Sequence, residues 1–338
     1  MSNPAATAAP KKELNLTLGE RIEIVRTHRY FLAIFPFAIL ALMILGFGIA
    51  TNGRFFTPRV LKGIFGQAIL IGTCATGVAF IYSNGNLDIS IGAILGLAAT
   101  LGVKAFTATN SVFVFVGVTM LVAVGLMLFN CTMSVICHIK TITVAIVVTQ
   151  IYNSITTVII GGAGKLDIPY EVAKGMENAN FRYIAFVLYF IFCLVVYHKT
   201  SVGRTLRFLG GNENCAKQTG MSNSKATYIS FLMTGIGVGL AGVFSVIDVA
   251  AVSVETGNGL GMDVMLATVL GGMSIFGGAR SNAYAGFIGA LTVAALNKGL
   301  LMVGVSSALI QGIRGVIFLV LVYMNSDRQK LLPARVQF

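Results

Sequence analysis

Long apolar runs alternate with short polar ones along the 338 residues, and the apolar runs set the scale of the fold. A helix needs roughly 20 mostly apolar residues to cross a bilayer core about 30 Å thick. Runs of that size, or nearly so, fall at about 30–50, 64–82, 88–106, 111–130, 139–160, 183–198, 228–250, 263–276, 283–297 and 307–325. The pattern predicts an all-α integral membrane protein of about ten transmembrane helices. The runs beginning at 88 and 263 are short and rich in glycine, which suits broken or re-entrant helices that other protein must shield from lipid. The layout read from the pattern is a polar segment over 1–29, a membrane domain over 30–325 and a polar tail over 326–338. Within the membrane domain, 199–227 is the longest polar passage.

Composition agrees with this reading. Hydrophobic residues make up 56% of the chain and charged ones 11%, against about 25% charged in soluble domains. The net charge of +12 would suggest nucleic-acid binding in a soluble protein, but here the cations lie between apolar runs and act as topology signals. With the N-terminus inside, inner segments hold fifteen Lys and Arg and outer loops hold seven. That bias places both termini and the 199–227 passage in the cytoplasm. The first run starts near Tyr30 and is long enough to span, so it reads as a helix rather than a cleaved signal. The preceding "KKELNLTLGERIEIVRTHR" suits an amphipathic helix on the membrane surface.

The last run contains Arg314. An arginine at a helix centre costs roughly 2.5 to 3.5 kcal/mol on insertion, and the apolar residues from Leu309 to Val322 return roughly 3 to 6 kcal/mol. The segment inserts, with Arg314 expected to face protein or reach toward an interface.

Candidate chemistry is sparse. Cys74, Cys131, Cys137, Cys193 and Cys215 are scattered without a CxxC pair and read as small buried hydrophobes. His28, His138 and His198 are far apart, so no metal site is expected. "GGAGKLD" at 161–167 fails the phosphate-loop pattern, because Ile159 and Leu166 stand where Gly and Ser or Thr are needed. No nucleophile with an adjacent base is visible. The chain is therefore expected to be no enzyme and to hold no cofactor.

Polar residues inside the runs remain as pointers. In "SNGNLDISIGAILGL", Asp88 and Ser90 stand where they can cap the following helix. "GLGMDVMLATVLGGMSIFGG" repeats the theme with Asp263, so the two halves could be structural repeats. Asn130, Gln150, Asn153 and Asn297 lie in other runs. Such groups commonly bond helix to helix, and as a pathway lining their neutral amides suit a neutral sugar or polyol better than an ion.

Three stretches carry a resemblance. "GNLDISIG", "GRTLRFLGGNENCAKQTGMSNSKATYISFLMTGIGVGLAGV" and "VLGGMSIFGGARSNAYAGFIGALTVAALNKGLLMVGVSS" occur in the order seen in ribose-type ATP-binding-cassette sugar permeases. The resemblance runs from about residue 60 to the end. It implies the fold of a type II importer permease in a bacterial inner membrane, importing a simple sugar such as ribose, xylose or galactose. It also implies a cytosolic ATPase subunit that binds the ATP, a periplasmic or lipid-anchored sugar-binding protein and a second permease chain. The ATPase would dock on a coupling segment that falls on Gly210 to Gly220. There Gly210 and Gly211 are expected to make the turn, Asn212 to cap a short helix through Glu213 and Ala216, and Gly220 to stop it. Departures such as Lys298 in "LNKGL" leave the solute open. Nucleosides and branched-chain amino acids are the alternatives, with a stand-alone secondary transporter behind them.

Overall fold

The computed structural model describes residues 29–274, 277–278 and 284–325, and Pro36–Ser326 form one compact unit. The expected amphipathic segment before Arg29 and the tail over 326–338 lie outside the described residues. The helices are α1 (Arg29–Ala50), α2 (Pro58–Ser83), α3 (Ile91–Thr109), α4 (Val112–Cys137), α5 (Thr141–Ile160), α6 (Tyr170–Asn178), α7 (Phe181–Lys199), α8 (Ser201–Gly211), α9 (Glu213–Gln218), α10 (Asn223–Val249), α11 (Leu260–Leu270), α12 (Ala285–Met302) and α13 (Ser307–Asn325). Seven of them, α2, α3, α4, α5, α7, α10 and α12, are long and apolar enough to cross a membrane. Shorter apolar helices occupy Pro36–Ala50, Leu260–Leu270 and Ser307–Tyr323.

The predicted runs all carry helices, with three informative shifts. α2 starts at Pro58, ahead of the expected 64, because a proline in the first turn gives up an N–H that has no helical partner there. α3 starts at Ile91, leaving Asp88 in the irregular chain before it. α11 ends at Leu270, and its 11 residues span about 16 Å. That is half a membrane thickness, so the run expected over 263–276 holds a half-length helix.

α2, α3 and α10 form the centre. Their apolar windows are 83%, 72% and 72% buried, against 22% for α4 and 28% for α7. α10 packs on α4 and α2, and α12 packs on α2 and α11. The exposed faces of α4 and α7 carry large apolar side chains such as Phe113, Leu121, Ile184 and Leu188, as lipid-facing helices require.

At one end of the bundle lies a small cap. β1 (Lys165–Asp167) pairs antiparallel with β2 (Ala251–Ser253), with Leu166 opposite Val252. Ile168, Ala173 and Met176 from the cap join Phe106, Phe115 and Val252 in one apolar cluster. Charges fix the rim. Lys62 Nζ donates to Glu177 Oε1 at 2.9 Å, and Arg182 pairs with Asp248. Lys62, bonded and close in charge, holds the Glu177 carboxyl below the usual carboxylate range. α8 sits at the other end, against the last turn of α2, and α9 packs on α8.

Candidate functional site

The chain leading into α11 runs back along α3, antiparallel to it. Val252 clusters with Ala99, Val103 and Phe106 near the far end of α3. Thr256 then reaches Gly96, Gly257 reaches Gly92 and Gly261 reaches Ile89. A methyl on Gly92 would lie 2.2 Å from the Gly257 carbonyl oxygen, so the two backbones meet with no side chain between them. The N-terminal ends of α3 and α11 are thus brought together deep in the bundle, each with an aspartate.

The first aspartate belongs to α3. Asp88 Oδ1 accepts from the Ser90 amide at 2.7 Å and from the Ser90 hydroxyl at 2.5 Å. Asn130 Nδ2 on α4 donates to Ser90 Oγ at 2.9 Å, and Tyr152 Oη on α5 donates to Asn130 Oδ1 at 2.8 Å. All four residues are buried. This corrects the expected cap: Ser90 occupies the capping position without a side-chain bond to the helix, its hydroxyl donating to Asp88 and its oxygen accepting from Asn130 instead. Asp88 Oδ2 and Tyr82 Oη are buried without a hydrogen-bond partner among the described residues.

The second aspartate follows the same plan. Asp263 lies in the first turn of α11, where the helix dipole favours negative charge. Asn297 Nδ2 on α12 donates to Asp263 Oδ2 at 3.2 Å, and Arg314 Nη1 on α13 lies 2.7 Å from Asp263 Oδ1. In each half an aspartate near a helix start is linked to an asparagine on the next helix and a third group on the helix after that, through Ser90 and then Asn130 in the first half and directly in the second. Tyr152 takes the third place in one half and Arg314 in the other. Arg314 therefore faces protein, one of the two outcomes expected of it.

Gln150 and Asn153 join neither network. They are exposed along α5 with Thr143, Ser154 and Thr157, a polar stripe at helical spacing on a membrane-spanning helix. Amides left against lipid are costly, so this stripe calls for water or another chain.

The passage 199–227 folds as the helical pair α8–α9. Asn212 caps α9, its Oδ1 accepting from the Cys215 amide at 3.1 Å. Gly220, with φ of 79°, closes the helix, and the Met221 amide returns to the Ala216 carbonyl at 3.2 Å. Two expectations are corrected. Gly210 and Gly211 complete α8 instead of making the turn, which falls at extended Asn212. Ala216 is buried against its own chain, whereas Asn212, Asn214, Cys215 and Gln218 are exposed. Glu213 stands first in α9.

Sequence reasoning missed Tyr82, Tyr152 and the pairing of Asp263 with Arg314. The signal that could have suggested the pairing is that Asp263 and Arg314 each stand as a charge in an apolar run.

Comparison with known proteins supplies the context. Residues 60–322 match the family described as branched-chain amino acid transport system / permease component. The chain is 26% identical over 304 residues to the ribose import permease protein RbsC of Escherichia coli (strain K12), covering 86% of this chain and 94% of that one. It is 28% identical over 296 residues to RbsC of Bacillus subtilis (strain 168), covering 82% and 88%. It is 27% identical over 302 residues to the autoinducer 2 import system permease protein LsrD of Salmonella paratyphi A (strain ATCC 9150 / SARB42), covering 86% and 90%. No solved structure matches. With so much of its length matched, and helices to cross a membrane many times, this chain belongs to that family of transport permeases.

Proposed function

We propose that this chain is the membrane subunit of a bacterial inner-membrane ATP-binding-cassette importer for a simple sugar. The relatives named for ribose and autoinducer 2 import match it over nearly their whole length, which supports a small polyhydroxylated solute. The observation that carries the energy source is α9, a short exposed helix capped at both ends on a chain whose sequence holds no phosphate loop. Such a knob suits a groove on a separate ATPase subunit, which would bind the ATP. The polar stripe of Gln150 and Asn153 suits a path shared with a second permease chain. A binding protein delivering solute would meet the cap formed by β1, β2 and α6.

Reconstitution in liposomes with the ATPase and binding protein from the same gene cluster tests this. ATP-dependent uptake of D-ribose or D-xylose is the expected result. Leucine uptake would favour the substrate in the family's description, and uptake on an ion gradient with no ATPase would overturn the assignment.

A further inference from the structure

Gly210 and Gly211 are neighbours with opposite surroundings. A methyl on Gly211 would meet nothing within 4 Å, whereas one on Gly210 would lie 2.0 Å from the Ser83 carbonyl oxygen and 2.8 Å from the Gly278 amide nitrogen. Gly210 is thus where α8 lies backbone to backbone on the last residue of α2. The Ser83 carbonyl also accepts from the Gly278 amide at 3.4 Å, and Ser83 Oγ bonds Tyr197 Oη on α7 at 2.6 Å. The next residue, Asn84, donates to Asn223 Oδ1 and Thr227 Oγ1 in the first turns of α10. The chain then turns and runs without regular structure to Asp88.

The joint has little slack. A methyl on Gly203 would lie 1.8 Å from the Tyr197 carbonyl oxygen, so α8 is seated against the end of α7. Leu206 and Leu209 are buried on the same side, and the Arg207 guanidinium stands 5.4 Å from the Tyr197 ring. Close-packed contacts without voids transmit displacement instead of absorbing it.

We propose that Gly210 is the positioning residue through which movement of α9 reaches the membrane core, with Ser83 as the point that receives it. From Ser83 the displacement passes to α2, to the segment carrying Asp88 and, through Asn84, to α10. The inference rests on the reading of α9 as the ATPase dock.

The test uses the permease with its ATPase and binding protein in proteoliposomes, with three variants and two readouts. The readouts are the ATPase retained on purified permease and the ATP hydrolysed per solute imported. Gly210→Ala inserts a methyl into the joint. Tyr197→Phe removes the hydroxyl that bonds Ser83 and keeps the ring, so it decides the matter if Gly210→Ala fails to accumulate. Both are expected to retain the ATPase while the ATP used per solute rises roughly 5-fold or more, the low end of coupling between linked sites. Asn214→Arg, on the exposed side of α9, is expected to lose the ATPase. If the first two variants import at the wild-type ATP cost, or lose the ATPase themselves, the joint is overturned. If Asn214→Arg keeps the ATPase, the docking reading fails separately.

Discussion

Arg314 on α13 and Asp263 on α11 form an ion pair almost wholly withdrawn from solvent, their side chains 13% and 8% exposed. The other half, where Tyr152 stands, builds its network around Asp88 without a cation. The charge pair is therefore a local feature of α11–α13.

Removing one charge leaves the other buried. Arg314→Met should cost about 3 to 5 kcal/mol, whereas Arg314→Met combined with Asp263→Leu should recover most of that loss. Unfolding in detergent, measured for both single variants and the double, checks this. Equal additive losses would contradict it.

Tyr152→Phe should cost about 1 to 3 kcal/mol, because it leaves the buried Asn130 Oδ1 without its donor. Asn130→Leu should cost more, because it strands the buried Tyr152 hydroxyl and also removes the donor to Ser90 Oγ. The order of the two melting temperatures is the measurement.

The backbone crossing predicts a contrast between glycines. Gly92→Ala should destabilise strongly, since the added methyl would stand 2.2 Å from a carbonyl oxygen that cannot swing aside. Gly125→Ala on α4 meets nothing within 4 Å and should gain about 0.5 to 1 kcal/mol from helix propensity. Expression and thermal unfolding of the two variants should move in opposite directions.

The Lys62–Glu177 pair predicts a pH dependence. Glu177 has a folded-state pKa below its unfolded value. Its contribution is therefore complete above the ordinary carboxylate range, near pH 4.3, and is lost as pH falls through the depressed value. The difference in melting temperature between wild type and Glu177→Gln should shrink as pH drops from 6 toward about 3.5. A constant difference would remove Lys62 as the cause.

The apolar runs made the helices legible, because a bilayer leaves few alternatives to a hydrophobic helix. Asn212 and Gly220 were legible because caps act within a few residues. Gly210 was misread as a turn because its reason lies at Ser83, far away in sequence. The same holds for Ser90, whose hydroxyl seemed free to cap α3 until Asp88 and Asn130 claimed it. Asp88 and Asp263 stood out as charges in apolar runs, yet their partners on other helices left no periodic trace. Ala216 looked like docking surface because polarity around it hid which way α9 lies.

The pairing of β1 with β2 has a mechanical corollary. Ser253, held opposite Lys165 at the rim, is separated from Gly257 by a short run of chain, and Gly257 touches the first turn of α3. Pressure applied at that rim would therefore bear on the start of α3 through a short length of chain, with no long relay between the two.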